Sequence, residues 1–111
     1  MRYNTPGIVV SRLLWDPWNV GHMARHQVSP EEVEEICQGN PLVLTGYLAR
    51  LIVLGPTAEG RIVAVVLAPQ EAGVYYPVTA RPASRRERAL YRREKGGSGN
   101  DGTTERSGEG E

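Results

Sequence analysis

The chain has 111 residues, 40% of them hydrophobic and none of them phenylalanine, and its 13 basic and 13 acidic side chains give a formal net charge of zero. This length supports one small domain with a core of Val, Leu, Ile and Ala, and it excludes a multidomain enzyme. The single cysteine, Cys37, excludes an internal disulfide framework and a cysteine-rich zinc site, and no apolar run approaches the roughly 20 residues of a membrane span, so we expect a soluble, unexported protein of the cytoplasm.

The zero net charge is the sum of three unlike segments. Residues 1–80 carry five arginines against seven acids (−2), residues 81–95 carry six arginines and one lysine against two glutamates (+5), and residues 96–111 carry one arginine against four acids (−3). The last segment, GGSGNDGTTERSGEGE, has no side chain able to fill a core. We therefore predict one folded domain over residues 1–95 and a disordered acidic tail over residues 96–111.

Two short helices are predicted near the N-terminus, each preceded by a capping residue and started by a proline. Asp16 can accept backbone N–H bonds as an N-cap, which predicts a helix from residue 17 to about residue 26. Ser29 and Glu32 form a capping box, which predicts a second helix from residue 30 to about residue 37.

Four runs rich in β-branched residues follow, separated by turn clusters that contain Gly and Pro. They cover residues 42–45, 49–54, 61–67 and 74–80. Connections this short predict antiparallel pairing, because parallel strands need a crossover of about a dozen residues or more. Residues 7–14 are a candidate N-terminal strand, and Pro77 indicates an edge or a bulge in the last strand.

A third helix is predicted after the last strand. Ser84 and Glu87 form another capping box, and the helix runs from residue 85 to about residue 94. The predicted fold class is therefore α+β: an antiparallel sheet of about four to five strands, with two N-terminal helices and one C-terminal helix packed on it.

The +5 segment is the most informative feature for function. Its basic residues are Arg81, Arg85, Arg86, Arg88, Arg92, Arg93 and Lys95. On a helix that begins at Arg85, the side chains of Arg85, Arg88 and Arg92 fall in one narrow sector. A row of permanently charged guanidinium groups suits a phosphate backbone and predicts RNA binding. The alternative is an exposed helix whose arginines only solubilise it or pair with the acidic second helix and tail.

His22 and His26 share the spacing of a two-histidine metal grip. No glutamate lies between them in the HExxH manner and no further ligands complete a zinc site, so we expect no metal. The imidazoles can instead transfer protons, or His26 can hydrogen-bond at the helix end as a structural residue. Trp15 and Trp18 flank the start of this helix, where base stacking is possible, although packing is favoured for Trp15.

Together these blocks resemble the BrnT family. The opening block is Trp15-Asp16-Pro17, Asn19, His22, His26, Val28-Ser29 and Glu31-Glu32, and the later blocks are Arg50, Leu54-Gly55, Thr79-Ala80-Arg81, Ser84-Arg85-Arg86-Glu87-Arg88 and Tyr91. The similarity spans residues 14–94, in the family's order. BrnT proteins are the ribonuclease toxins of bacterial BrnT/BrnA type II toxin–antitoxin pairs and have a RelE-like fold. The resemblance implies cofactor-independent RNA cleavage and neutralisation by a small, DNA-binding, BrnA-like antitoxin.

The resemblance also implies roles for individual side chains. RNA cleavage without a metal requires a base for the 2′-hydroxyl proton, an acid for the leaving oxygen and cations around phosphorus. Arg81 and Arg85 match the closing block and are assigned to phosphate and transition-state binding, with Arg50 completing the clamp. His22 and His26 match the opening block and are candidates for proton exchange, or both brace the fold.

Two departures from the family pattern keep other functions open. Family members commonly show acidic and aromatic residues around the strand that carries Arg50, whereas the stretch here is Gly46-Tyr47-Leu48-Ala49-Arg50-Leu51, and an acidic tail replaces a basic one. The first alternative is a catalytically inactive RNA- or protein-binding module that keeps the fold. The second is a structural or regulatory subunit whose acidic tail shields its own basic helix.

Overall fold

The protein folds as a five-stranded sheet with helices on both faces. The computed structural model describes residues 10–96, and the structural statements below refer to that part of the chain. The elements are β1 (Arg12–Leu13), α1 (Pro17–Ala24), α2 (Pro30–Gln38), β2 (Leu42–Thr45), β3 (Leu51–Pro56), β4 (Ile62–Glu71), β5 (Val74–Pro82) and α3 (Arg85–Tyr91). A 3₁₀ turn, Tyr47–Ala49, joins β2 to β3, and a π-helical turn, Arg92–Gly96, extends α3. The predicted α+β class is confirmed.

The strands lie in the order β1-β5-β4-β3-β2, and β2 to β5 form the predicted antiparallel meander. The short β1 pairs in parallel with β5, with Arg12 opposite Val74 and Leu13 opposite Tyr75, so the sheet is mixed. The rule that short connections give antiparallel pairs applies only to consecutive strands. Because β1 and β5 are far apart in the sequence, that rule does not restrict their orientation.

All three helices begin at the predicted caps. Capping boxes join Asp16 to Asn19, Ser29 to Glu32 and Ser84 to Glu87. The first helix ends at Ala24, earlier than predicted, because Gln27 adopts a left-handed backbone with φ of 61°. The chain then turns back, and the Val28 N–H donates to the Met23 carbonyl oxygen at 3.2 Å. A hydrogen bond of this span closes a helix end through a left-handed residue.

Asn19 fastens α1 to the edge of β5. Its side chain is buried, and Nδ2 donates to the carbonyl oxygens of Leu14 at 2.9 Å and Pro77 at 3.1 Å. The proline lies at a bulge, as predicted, because Val66 pairs with Thr79 while Leu67 pairs with Pro77. The side-chain amide therefore replaces a strand partner where β1 has already ended.

The two faces of the sheet have separate cores. One face packs against α1 and α2 through a cluster that contains Met23, Val33, Ile36, Val53, Val65 and Leu67. The opposite face packs against α3, where Leu90 and Tyr91 lie on a cluster of Leu42, Leu44, Leu54 and Ala64. Leu90 and Tyr91 therefore anchor α3 to the sheet. The sheet thus separates the acidic α2 from the basic α3.

Two strands differ from their predicted lengths. The third strand begins at Leu51, because Leu48 and Ala49 adopt left-handed backbones with φ of 58° and 62°. The β4–β5 hairpin is longer than predicted, since pairing continues to Glu71 opposite Val74. The predicted disordered tail, apart from Gly96, and the first three residues of the predicted strand 7–14 lie outside the described residues. No helix in the described part is long and apolar enough to cross a membrane.

Candidate nucleic-acid interface

The corner between β5 and α3 is held by an arginine–glutamate pair. Glu87 accepts the Ser84 backbone N–H at 2.8 Å as part of the capping box. Its two carboxylate oxygens also accept bonds from Nη1 and Nη2 of Arg81, at 2.8 and 3.0 Å. The bond with Arg81 lowers the pKa of Glu87 and raises that of Arg81. Because a two-pronged pair of this kind fixes direction as well as distance, the Arg81 side chain has one orientation at this corner.

Four arginines of α3 and its extension form an exposed surface, which we call the arginine face. Its members are Arg85, Arg86, Arg92 and Arg93. Arg93 also lies 3.7 Å from the Glu94 carboxylate. The members repeat at a spacing of seven residues, which places the two pairs on the same side of a helix. The arginine face points away from the cluster around Leu90 and Tyr91, so it is open to a ligand.

Arg88 is placed differently from the predicted row. It is half-buried, and its Nη1 donates to the Ala83 carbonyl oxygen at 2.8 Å. This bond closes the start of α3 and gives Arg88 a structural role. The exposed row therefore contains Arg85 and Arg92, as predicted, with Arg86 and Arg93 in place of Arg88. The hypothesis that these arginines pair with α2 does not fit, because the sheet lies between the two helices.

Arg50 is not brought to the same corner. It lies directly before β3, whereas Arg81 is opposite Ala64 and Ala64 is opposite Leu54. Arg50 and Leu54 are four residues apart along the chain, which is about 13 Å along a strand. Arg50 and Arg81 therefore occupy opposite ends of the sheet, and one phosphate cannot contact both without movement of the chain.

The two histidines lie together at the end of α1. Their ring centroids are 5.9 Å apart in an edge-to-face arrangement. His22 is exposed, whereas His26 is half-buried in the turn after the helix. The guanidinium of Arg61 donates to the His26 carbonyl oxygen at 3.4 Å and to that of Gln27 at 2.7 Å, which ties this turn to the start of β4. The predicted placement of both histidines on one side of the helix is confirmed, whereas the bond from Arg61 involves the backbone of His26 and not its imidazole.

A shallow groove separates α1 from β5. It is lined by Trp18, Asn19, His22, Tyr76 and Val78. The side of α1 that carries His22 continues into a second depression, which Gly21 and Arg25 help to line. The sequence interpretation had considered Trp18 for base stacking but had missed Arg25 and Tyr76. The signal for Arg25 is the helical spacing of residues 18, 22 and 25, which places three side chains on one helix face. Tyr76 lies on β5 and has no such signal.

Cys37, the single cysteine of the chain, lies in α2. It packs against the main core, and burial, assisted by the nearby Glu34, raises the pKa of its thiol to about 12. A thiol of this kind is protonated at neutral pH and reacts slowly. Within residues 10–96, no three side chains of His, Cys, Asp or Glu lie where they could hold a metal ion.

No protein-family model, no curated protein and no solved structure matches the chain. The similarity to the BrnT family and the RelE-like form of the fold therefore stay predictions.

Proposed function

We propose that the protein is a BrnT-like toxin, a metal-independent endoribonuclease that binds RNA through α3 and is neutralised by a small DNA-binding antitoxin. One observation carries the proposal: the arginine face adjoins the corner where Glu87 orients Arg81. Guanidinium groups carry a fixed charge and donate in pairs to phosphate oxygens. This corner therefore combines a surface for the RNA backbone with one oriented cation.

Arg81 has donor capacity beyond its pair with Glu87. A guanidinium has five N–H donors. The hydrogen bonds found within residues 10–96 use two of them for Glu87 and one, at 3.4 Å, for the Pro82 carbonyl oxygen. The remaining donors can contact a phosphate oxygen while the pair with Glu87 keeps the side chain in place. A cation that is already oriented stabilises developing charge without a cost of rearrangement.

The partner is proposed from the same surface. An antitoxin that covers α3 would remove the arginine face from RNA and would need acidic side chains to match it. Charge complementarity of this kind speeds association and selects the partner. The prediction of a DNA-binding antitoxin derives from the BrnT resemblance alone.

Arg81 and Arg85 give the direct test of cleavage. The full-length protein should cleave single-stranded RNA without added metal and should leave the matched 2′-O-methyl RNA intact, because that RNA lacks the attacking hydroxyl. Arg81→Ala and Arg85→Ala should each lower the rate by about 100-fold, as the loss of one donor to a transition state does. Arg12→Ala is the matched control, because it also removes one exposed arginine, on β1. This variant should keep the wild-type rate.

Glu87→Gln keeps Arg81 but weakens the pair that orients it, so it should lower the rate by less than Arg81→Ala does. Unfolding curves of all variants should show that each protein is folded under the conditions of the activity assay. Wild-type rates in both arginine variants would refute the assignment of the site.

A second candidate function is a non-catalytic RNA- or protein-binding module of the same fold. The placement of Arg50 at the far end of the sheet favours it, because this separates one proposed member of the clamp from Arg81. In that case RNA should stay intact in the presence of the protein while binding weakens steeply with salt.

A further inference from the structure

We propose that Trp18, His22 and Arg25 form a surface that binds one base of single-stranded RNA, on the opposite face of the sheet from the arginine face that binds the backbone. The inference rests on the proposed RNA-binding function and adds to it a second contact of a different chemistry, on the other side of β5.

The first argument is the exposure of Trp18. Its side chain is 83% exposed, whereas Asn19 and Met23, which face the sheet, are 2% and 0% exposed. Trp18 therefore contributes little burial to the fold, although a large aromatic ring is costly to leave in water. His22 and Arg25 follow at helical spacing and are also exposed, so an aromatic ring, an imidazole and a cation share one surface.

The second argument is the rigidity of the surface beneath these side chains. The Tyr76 hydroxyl donates to the Asp16 carboxylate, with distances of 3.1 and 3.0 Å to its two oxygens. Asp16 is itself the N-cap of α1, since Oδ1 accepts the Asn19 N–H at 2.9 Å. Together with the bond from Asn19 to Pro77, these contacts fix α1 against β5. A ligand in the groove therefore meets a wall that is already formed, which lowers the entropy cost of binding.

The third argument is the position of the groove relative to the arginine face. Val78 lines the groove on the α1 face of the sheet, and Arg81 follows it by three residues on the same strand, about 10 Å farther along. The Arg81 side chain lies on the opposite face, where it bonds Glu87 of α3. Because β1 pairs with β5 only at Val74 and Tyr75, a short single strand that passes around this edge of β5 can place a base on Trp18 and its neighbouring phosphates near Arg81 and Arg85.

The chemistry of the surface favours a base over a protein side chain. Aromatic rings stack on every base, and a neighbouring arginine adds a contact to the ring or to a phosphate. Imidazole nitrogens can bond to the edges of unstacked bases. The cationic Arg25 complements a polyanion. The other strongly exposed apolar side chains, Tyr47 and Leu48, lie in the turn between β2 and β3 rather than in this groove.

The test uses the full-length protein and a short 2′-O-methyl oligouridylate, which cannot be cleaved through the 2′-hydroxyl. Trp18→Ala should weaken binding by about tenfold, within the range measured for loss of one stacked base, and Trp18→Phe should retain most of the affinity. Tyr47→Ala is the matched control, since Tyr47 is also 83% exposed, and it should bind as the wild type does. An abasic oligonucleotide of equal length should bind the wild type and Trp18→Ala equally.

The outcomes separate this inference from the proposed function. Equal affinity of wild type and Trp18→Ala for the oligouridylate overturns the base-binding surface and leaves RNA binding by α3 intact. If Trp18→Ala instead loses only the binding of a co-expressed antitoxin, the surface belongs to a protein partner and the inference is wrong. Absence of oligouridylate binding by the wild type at low salt overturns the inference and the proposed function together.

Discussion

Glu87 shows how one side chain serves both the fold and the proposed site. It caps α3 through Ser84 and holds Arg81 through two hydrogen bonds. These bonds require the ionised carboxylate, and the one with Arg81 is the main reason why the pKa of Glu87 is lowered. A lowered pKa in the folded state contributes stability above the unfolded-state pKa, and that stability is lost as the pH falls through the folded-state value.

Glu87→Gln should therefore destabilise the protein by about 1 kcal/mol near neutral pH, the typical cost of a weakened cap and a partly exposed pair. The difference from wild type should shrink as the pH falls below the ordinary range of glutamate, because the wild-type carboxylate is then protonated. Urea unfolding of both proteins, from neutral pH to below the ordinary pKa range of glutamate, measures this difference in the free energy of unfolding.

The matched control is Glu59→Gln, which removes an exposed carboxylate in the turn between β3 and β4. Asp16, whose pKa is lowered mainly by the hydrogen bond from the Asn19 N–H, also makes stability depend on pH. Because Asp16 is present in all three proteins, its contribution cancels when their free energies of unfolding are compared. If the difference in the free energy of unfolding between wild type and Glu87→Gln does not change with pH, the account of the pair of Arg81 and Glu87 is contradicted.

At the scale of elements, the approach of α2 to the sheet depends on a missing side chain. Gly55 of β3 is buried, and a Cβ placed on it would lie 2.8 Å from Cγ2 of Ile36 and 3.7 Å from Cβ of Pro41. Contacts as short as the first do not occur between relaxed carbon atoms, so α2 or the Ile36 side chain would have to move. The close packing of α2 on β3 thus requires glycine at this position.

Gly55→Ala should lower the free energy of unfolding by about 1–3 kcal/mol, the usual cost of overpacking a core. Gly21→Ala is the matched control, because nothing lies within 4 Å of its added Cβ and the position is inside α1. That variant should gain about 0.5–1 kcal/mol from helix propensity. Denaturant unfolding measures the free energy of unfolding of both variants. A Gly55→Ala protein as stable as the wild type would contradict the packing described for α2.

The sequence was informative where the cause of an element is local. Caps depend on side chains that lie three residues apart, so the starts of all three helices could be predicted. The left-handed backbone of Leu48 and Ala49 could not, because neither residue favours it and the hairpin imposes it. The parallel pairing of β1 with β5 joins distant segments, and no local pattern encodes it.

The same distinction applies to the site. The basic cluster and the histidine pair were visible as spacings, and the structure keeps both on shared surfaces. The inward turn of Arg88 depends on the Ala83 carbonyl, which belongs to the loop before the helix. The distance of Arg50 from Arg81 depends on strand register. Such facts arise only after the chain has folded, which is why helical spacing alone assigned Arg88 to the exposed row.

At the scale of the whole molecule, charge is arranged by layer. The acidic α2 lies on one face of the sheet and the arginine face on the other, so a protein with no net charge still presents a positive surface. The field of such a surface can orient an approaching polyanion. The near-neutral sum therefore gives no argument against an RNA partner.

The acidic C-terminal segment gives a prediction that depends on charge alone. Residues 96–111 carry one arginine against four acids. Deleting them should tighten RNA binding at low salt, because a −3 segment that competes for the arginine face is removed, and the gain should vanish as salt screens it. Affinity titrations of the two proteins at low and high salt test this, and equal affinities at low salt would show that the segment does not screen α3.

The most direct test of the central claim is the salt dependence of RNA binding. For a single strand, the logarithm of the affinity falls with the logarithm of salt by about 0.7 per phosphate neutralised, so the arginine face together with Arg81 predicts a slope of about −3.5. Replacing Arg85 and Arg92 by alanine should bring the slope to about −2.1. A slope unchanged in the double variant would show that RNA, if bound, does not lie on the arginine face and would contradict the account.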